Sequence, residues 1–496
     1  MLSLITFIPV IGAVLIILLS KSVARTVALV TSLAVFVLSL VMLNGFNNAQ
    51  AGFQYVELVR WIPQYGINYK IGVDGINLWL VMLTTFIFPI TIWASSWTIK
   101  HNEKTYYALI LLMQMATLGV FLALDMFLFY VFWEFALVPM YFIIGMWGGQ
   151  RRIYASLKFF IYTMTGSVLM LIGILVMGVQ GGTFDYEVLV KQGIHSSNFS
   201  LFLVFLLAFV IKVPMFPFHS WLPDAHVEAP TPGSVILAAV LLKMGSYGLI
   251  RYNLALFPAA SQQFAPVMII LSVVSILYGA IVAFAQGDMK KLIAYSSVSH
   301  MGYIVLGIFS LNQLGVQGAI LQMINHGLST GGLFLIVGYI YERLHTREMI
   351  KMGGLWAKMP VYGTLSLILV LSSVGLPALN GFVGEYVILQ GAFMREPLWT
   401  ALATLGMILG AVYLLTMYQK VFLGKGKDDD AHAHTGHEHA SAQSSHGLTD
   451  LSWSEIAAAV PIILLCFYIG FASTPFFNAM NASVLQLLIN GALAGK

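Results

Sequence analysis

Charge is what this sequence has least of. Only 9% of its 496 residues are Asp, Glu, Lys or Arg, 59% are hydrophobic, and the mean hydropathy is +0.87. Soluble domains carry roughly 25% charged residues, so a water-soluble globular chain is excluded. Cysteine is nearly absent too: Cys466 stands alone in an apolar run. One thiol cannot hold an iron–sulfur cluster or a disulfide framework within the chain. No Gly-rich phosphate loop follows a strand pattern, so nothing points to nucleotide binding, and no nucleic-acid partner is expected. The opening apolar segment, 2–20, lacks a basic stretch before it and reads as a retained helix rather than a cleaved signal.

What is present is a series of apolar runs about 20 residues long, the length of an α-helix that crosses a bilayer and too continuous for a barrel. Fourteen segments result, with cores at 2–20, 26–44, 73–94, 106–124, 126–147, 153–178, 200–218, 233–250, 265–286, 291–309, 314–341, 361–392, 398–421 and 455–474. The expected fold is an all-α polytopic membrane protein embedded in the lipid bilayer. An even count places both termini on one side. Of the 24 lysines and arginines, fifteen fall in loops on one side and six in loops on the other. The positive-inside rule then puts both termini outside. Three basic residues remain within segments: Lys158, Lys212 and Lys243.

Those lysines mark the chemistry. Lys212 and Lys243 flank a stretch holding five prolines, Pro214, Pro217, Pro223, Pro230 and Pro232. A lysine at the bilayer centre costs roughly 2.5–3.5 kcal/mol on insertion scales, so it needs a partner, water or a purpose. Proline beside it frees backbone groups that hydrocarbon cannot satisfy, and buried charge next to broken helix is the mark of an ion path. Two acids also lie deep: Glu134 in the fifth segment and Glu385 in the twelfth, where Gly375, Pro377, Gly381 and Gly384 interrupt the helix. Breaks five segments apart suggest an inverted repeat, because an odd shift turns the second copy over.

Burial disfavours a charged lysine and a nearby carboxylate restores it, so Lys212 with Glu134 would make a switch. Lys243 would be the next station and Glu385 the exit carboxylate. His300 and His326, flanked by Ser297, Ser299, Asn325, Ser329 and Thr330, suit a relay because imidazole exchanges protons near neutrality. Hydrogen-bonded packing is the plainer use for either histidine. Lys158, near the inner edge, would snorkel or neutralise a structural glutamate. Carboxylates at segment edges (Asp74, Asp125, Asp224, Glu228, Asp288, Glu455) are expected to be solvated or to cap helices. The polar stretch 425–450 carries His432, His434, His437 and His439, with Glu438 and His446 nearby. These are weak metal candidates on what otherwise reads as a solvated linker. The tail after Phe477 is expected to be short and interfacial.

Five motifs carry a resemblance: WEFALVPMYF, the long run IKVPMFPFHSWLPDAHVEAPTPGSVILAAVLLKMGSYGLIR, DMKKLIAYSSVSHMGY, NHGLSTGGLF and GLPALNGFVGEYVIL. From residue 74 to 420 the chain resembles the antiporter-like proton-channel subunits of NADH:quinone oxidoreductase (respiratory complex I), of the M or chain-four type. The resemblance implies fourteen helices, two inverted five-helix repeats and broken helices seven and twelve. It divides the chain into 1–105 (helices 1–3), 106–252 and 253–424 (the repeats), 425–452 (a His-rich cytoplasmic loop) and 453–496 (helix 14 and the tail). It implies Glu134 and Lys212 as the essential pair, Lys243 as the central lysine, His300 and His326 in the connecting axis, and Glu385 as the terminal proton residue. Glu385 favours the M type, since sister subunits usually carry lysine there. By the same resemblance the chain itself holds no cofactor. NADH, FMN, iron–sulfur clusters and quinone would belong to other subunits, the partners would be membrane-arm subunits including the sister antiporter-like ones, and the location would be the bacterial inner membrane. The alternatives are a subunit of a multi-subunit sodium/proton antiporter or of a proton-pumping membrane hydrogenase, a non-transporting scaffold bundle, and a free-standing solute carrier.

Overall fold

The computed structural model describes residues 1–424 and 448–494. His432, His434, His437, Glu438, His439 and His446 lie outside the described residues. Among the described residues, eleven helices are long and apolar enough to cross a membrane, and three shorter apolar helices bring the spans to the fourteen expected. In chain order the bundle opens with α1 (Leu2–Leu18) and α2 (Ala24–Asn44), followed by the strands β1 (Gln54–Ile62) and β2 (Ile67–Val73). Next come α3 (Leu78–Thr98), α4 (Glu103–Leu122), α5 (Met126–Trp147), α6 (Arg152–Gly181), α7 (Phe199–Lys212), α8 (Trp221–Glu228) and α9 (Thr231–Leu254). The second half comprises α10 (Pro258–Phe284), α11 (Met289–Phe309), α12 (Gln313–Leu344), α13 (Pro360–Val374), α14 (Asn380–Arg395), α15 (Pro397–Leu423), α16 (Trp453–Phe471) and α17 (Thr474–Ala494).

The seventh span is α7 and α8, and the twelfth is α13 and α14; both are interrupted. After α7, Pro214 has no N–H to give, and the chain satisfies its freed groups from elsewhere. The Met215 N–H donates to the Val210 carbonyl (3.0 Å), the Phe216 N–H to Ser275 Oγ (3.0 Å) and the Trp221 indole to the Ile211 carbonyl (2.9 Å). At the second break Gly375, at φ 82°, ends α13 in the left-handed turn that glycine adopts without strain. The Leu376 N–H then donates back to the Leu371 carbonyl. Asn380 fastens the restart: its Oδ1 accepts from Ser372 Oγ (2.5 Å), and the Asn325 side chain donates to its carbonyl (2.7 Å). A Cβ at position 381 would lie 2.0 Å from the Ser372 carbonyl oxygen, so the two half-helices approach that closely only over glycine.

α12 is the longest element, and its window is wholly buried. It packs against α3, α9, α11, α14 and α16, so the core runs along it. Three of the edge carboxylates cap helices as expected: Asp125 accepts from the Phe127 and Leu128 N–H groups, Asp288 from that of Lys291, and Ser452 with Glu455 forms a capping box on α16, whereas Asp74, Asp224 and Glu228 meet basic side chains.

Three features differ from the sequence reading. β1 and β2 form an antiparallel hairpin in what reads as loop. The tail is a full helix, α17, that buries Phe476, Ala479, Met480 and Val484 and ties Ser483 to the Gly75 N–H and the Ala51 carbonyl. Arg251, assigned to a loop, is buried at the end of α9. Its Nη2 donates to Asp74 Oδ1 (2.6 Å), and its guanidinium stands over the rings of Phe53, Tyr186 and Tyr247. Removing one partner of a buried ion pair strands the other charge, at about 3–5 kcal/mol. Arg251→Ala is therefore expected to lower the melting temperature of the assembled protein markedly, whereas Arg60→Ala on the exposed strand leaves it in place.

Lys70 on β2 joins Asp185 (2.6 Å) and Glu187 (2.7 Å). Burial pulls its pKa down, but the two carboxylates outweigh burial and leave it raised. Since the folded value exceeds the unfolded one, this stabilisation is fully present below about pH 10.4 and is lost as pH rises through the folded value. Amide exchange in the hairpin, corrected for the intrinsic pH dependence, is expected to keep constant protection across neutral pH and to lose it only above that point.

Candidate functional site

The site grows from the two broken spans toward α9 and α12. α9 has two π-helical turns, Leu237–Leu241 and Leu249–Leu254, on either side of Lys243. Such turns are rare and open the helix locally, commonly at functional positions. Lys243 has no solvent exposure; its Nζ donates to the Ala238 carbonyl (2.6 Å) and meets His326 Nδ1 on α12 (2.6 Å). The His326 ring centroid lies 5.8 Å from that of His300 on α11. His300 Nδ1 is 2.9 Å from Glu385 Oε1 on α14, and Gln322 donates to the same oxygen (3.1 Å). The Tyr413 hydroxyl stands 3.5 Å from His300 Nε2. Four titratable groups from four helices thus form one line from the middle of the bundle to the second break, with a single gap between the imidazoles, where His326 Nε2 has no partner.

The first half is arranged differently. Lys212, at the last turn of α7, is fully buried, and its Nζ has no hydrogen-bond partner. It lies over the rings of Phe159 (5.3 Å) and Trp133 (5.5 Å), a cation–π seat that holds the charge without discharging it. Glu134 is half-buried on α5, and one carboxylate oxygen is unpartnered. The two groups feel each other's charge but make no ion pair within 4 Å. An apposed pair short of contact leaves distance as a variable.

Lys158 on α6 binds Asp224 Oδ2 on α8 (2.7 Å). Its partner is therefore an aspartate of the broken span, not a glutamate. The three carbonyls that end α8 are also held from outside it. Val227 accepts from Arg347 (2.8 Å), Glu228 from the Gly149 N–H (2.8 Å) and Ala229 from Lys290 Nζ. Cations at a helix C-terminus satisfy orphan carbonyls and oppose its dipole.

Sequence reasoning named neither His219 nor His226. His226 is buried, stacks on Phe334 at 4.4 Å and has both ring nitrogens unpartnered. Two histidines seven residues apart inside the proline-broken span were the available signal. Lys290, counted with the loop charges, is 5% exposed. Among the described residues no group of three or more His, Cys, Asp or Glu is placed to hold a metal.

Among the described residues, fourteen spans, two of them broken, around a buried line of lysine, histidine and glutamate define the antiporter-like class of membrane subunits. The family profile described as NADH:quinone oxidoreductase/Mrp antiporter, TM, matches residues 123–410. The NADH-quinone oxidoreductase subunit M of Rhodobacter capsulatus is 43% identical, over 99% of this chain and 96% of that one. A chain of the respiratory complex I from Thermus thermophilus with bound NADH superposes with a TM-score of 0.89 at 31% identity, covering 100% of both. A chain of the Mrp complex from Dietzia sp. shares the fold, with a TM-score of 0.87, but is only 19% identical. This chain belongs to the NADH:quinone oxidoreductase/Mrp antiporter family of membrane subunits.

Proposed function

We infer that the chain is a proton-translocating membrane-arm subunit of an NADH:quinone oxidoreductase, of the M or chain-four type. It carries no redox group itself. NADH oxidation and quinone reduction occur in other subunits, which hold NADH, FMN, the iron–sulfur clusters and quinone, and this chain converts the energy released there into proton movement. The observation that carries the reading is the buried line Lys243–His326–His300–Glu385, in which neighbouring groups on four helices stand within hydrogen-bond or ring-contact distance. Glu134 and Lys212 act as the switch: drawing them together favours the lysine's charged form, and separating them favours proton release. Lys243 and the histidines pass the proton on, and Glu385 delivers it to the exit side. Lys158 couples α6 to α8 through Asp224. The chain lies in the bacterial inner membrane with both termini outside, beside the sister antiporter-like subunits.

The reading separates from the antiporter and hydrogenase alternatives by what copurifies. A complex isolated through a tag on this chain is expected to oxidise NADH with a quinone acceptor and to acidify its vesicles as it does so. Sodium-driven proton exchange without NADH turnover would overturn it in favour of the antiporter.

A further inference from the structure

The buried line has one gap, between His326 and His300, and the two imidazoles are engaged differently on either side of it. With the Lys243 amine donating to its Nδ1 (2.6 Å), His326 carries its own proton on Nε2, the nitrogen that has no partner. His300 has no nitrogen left to receive that proton. Its Nδ1 faces Glu385 Oε1 (2.9 Å), and its Nε2 faces the hydroxyl of Tyr413 (3.5 Å), a buried residue of α15. The ring centroids lie 5.8 Å apart, near enough for facing nitrogens, or one bridging water, to complete the line. Tyr413 therefore occupies the atom through which the gap would close. Its contact is also the longest of the series, and a hydrogen bond of that length is weak, so it is the first to yield. A released hydroxyl would not be stranded. Ser296 stands beside it, with Oγ donating to the Ile293 carbonyl (2.8 Å) and lone pairs left to accept.

We propose that Tyr413 is a positioning residue that gates the line: its hydroxyl holds His300 Nε2, and protons cross between the two imidazoles only while that contact is released. This rests on the proton-translocating reading above. At rest the Tyr413 O–H donates to His300 Nε2, and His300 Nδ1–H donates to the Glu385 carboxylate. On release the Tyr413 hydroxyl turns to Ser296. The proton on His326 Nε2 then moves to His300 Nε2, His326 Nδ1 takes one from the Lys243 ammonium, and His300 Nδ1 gives its own to Glu385. One proton leaves Lys243 and one arrives at Glu385, no electron moves, and each imidazole ends neutral in its other tautomer, which ring rotation resets. With Tyr413 back on Nε2, a proton on Glu385 has no return to Lys243.

The test uses the whole complex in sealed vesicles, measuring protons moved per NADH oxidised, first without a gradient and then against an imposed pH gradient of rising size. Tyr413→Phe keeps the ring and removes the hydroxyl. It is expected to start at the wild-type ratio and to lose this subunit's contribution as the opposing gradient grows, while wild type holds its ratio. Lys243→Ala is expected to be lowered from the start, equally at every load, and Tyr413→Phe with Lys243→Ala to behave as Lys243→Ala alone. Tyr303→Phe removes another buried hydroxyl between α11 and α15, one that donates to the Ala403 carbonyl (2.7 Å), and is expected to match wild type throughout. Tyr413→Leu, a second removal of the hydroxyl, replaces Tyr413→Phe where the latter does not assemble. A Tyr413 variant that tracks wild type at every load, or is lowered already without a gradient, would overturn the gate. So would load dependence that persists without Lys243 or appears equally in Tyr303→Phe. All of these leave the translocation reading standing; a wild-type ratio in Lys243→Ala would remove the reading itself.

Discussion

Lys243→Ala is expected to leave the complex assembled and able to oxidise NADH, yet to stop proton movement through this subunit. The reasoning begins with what Lys243 touches: a carbonyl of its own helix and His326. Neither contact is an ion pair, so truncation strands no opposite charge, and the structural cost is limited to packing and the two buried hydrogen bonds lost. The functional cost is large. Positioned proton-transfer groups contribute typically about 10²–10⁴-fold, and a serial path fails at its weakest step. Lys243→Arg is expected to fail as well, because a guanidinium does not give up its proton. A structural role would predict the reverse, with arginine restoring function. The measurement is vesicle acidification beside NADH oxidation in the same preparation.

Lys212→Ala carries the second large effect, and its signature is different. Lys212 is held by two aromatic faces and by no hydrogen bond, and Glu134 is in electrostatic range without touching it. Removing the lysine takes away a desolvated charge, so stability is expected to hold or rise slightly. What is lost is the coupling of the Glu134–Lys212 distance to the proton affinity of the path. Proton movement through this subunit is expected to cease, and Glu134→Ala should give the same phenotype. The double variant should be no worse than either single, because the two residues act as one unit. Independent, additive losses in the two singles would contradict a switch.

The distribution of legible and hidden features follows from what hydropathy reports. Apolar length gives depth along the membrane normal, and so the fourteen spans and the depths of Lys212, Lys243 and Glu385 were readable from the residues. Proline and glycine told where helices stop, which placed the breaks at Pro214 and Gly375. Rotation about each helix axis is not written in hydropathy, because a span buried all round shows no amphipathic face. For that reason Asp224 could not be chosen as the partner of Lys158, nor Asp74 as that of Arg251, 177 positions away. His226 escaped notice for a related reason: beside a break, a polar residue reads as belonging to a turn until its neighbours are known. The β1–β2 hairpin was hidden because Glu57, Arg60, Asn68 and Lys70 interrupt its apolar residues, in a segment where only long apolar runs were sought. α17 was passed over because its apolar pattern is interrupted by Asn478, Asn481 and Ser483, of which Asn481 and Ser483 here meet the rest of the chain.

The stretch around the second break shows how local strain and function meet. Ala378 has φ 77°, a conformation that costs a non-glycine residue of order 1–3 kcal/mol. Its carbonyl is met by α16 at Gly470, where a Cβ would lie 2.2 Å from the oxygen. The break is therefore held by its surroundings rather than by its own preference. It sets Glu385 at the head of α14, where His300 and Gln322 converge on one carboxylate oxygen.

The most direct measurement is the proton-to-electron ratio of the reconstituted complex carrying Lys212→Ala, determined with assembly and NADH oxidation confirmed in the same vesicles. The account predicts a ratio below wild type by the whole contribution of this subunit. A wild-type ratio in a correctly assembled Lys212→Ala complex would contradict it.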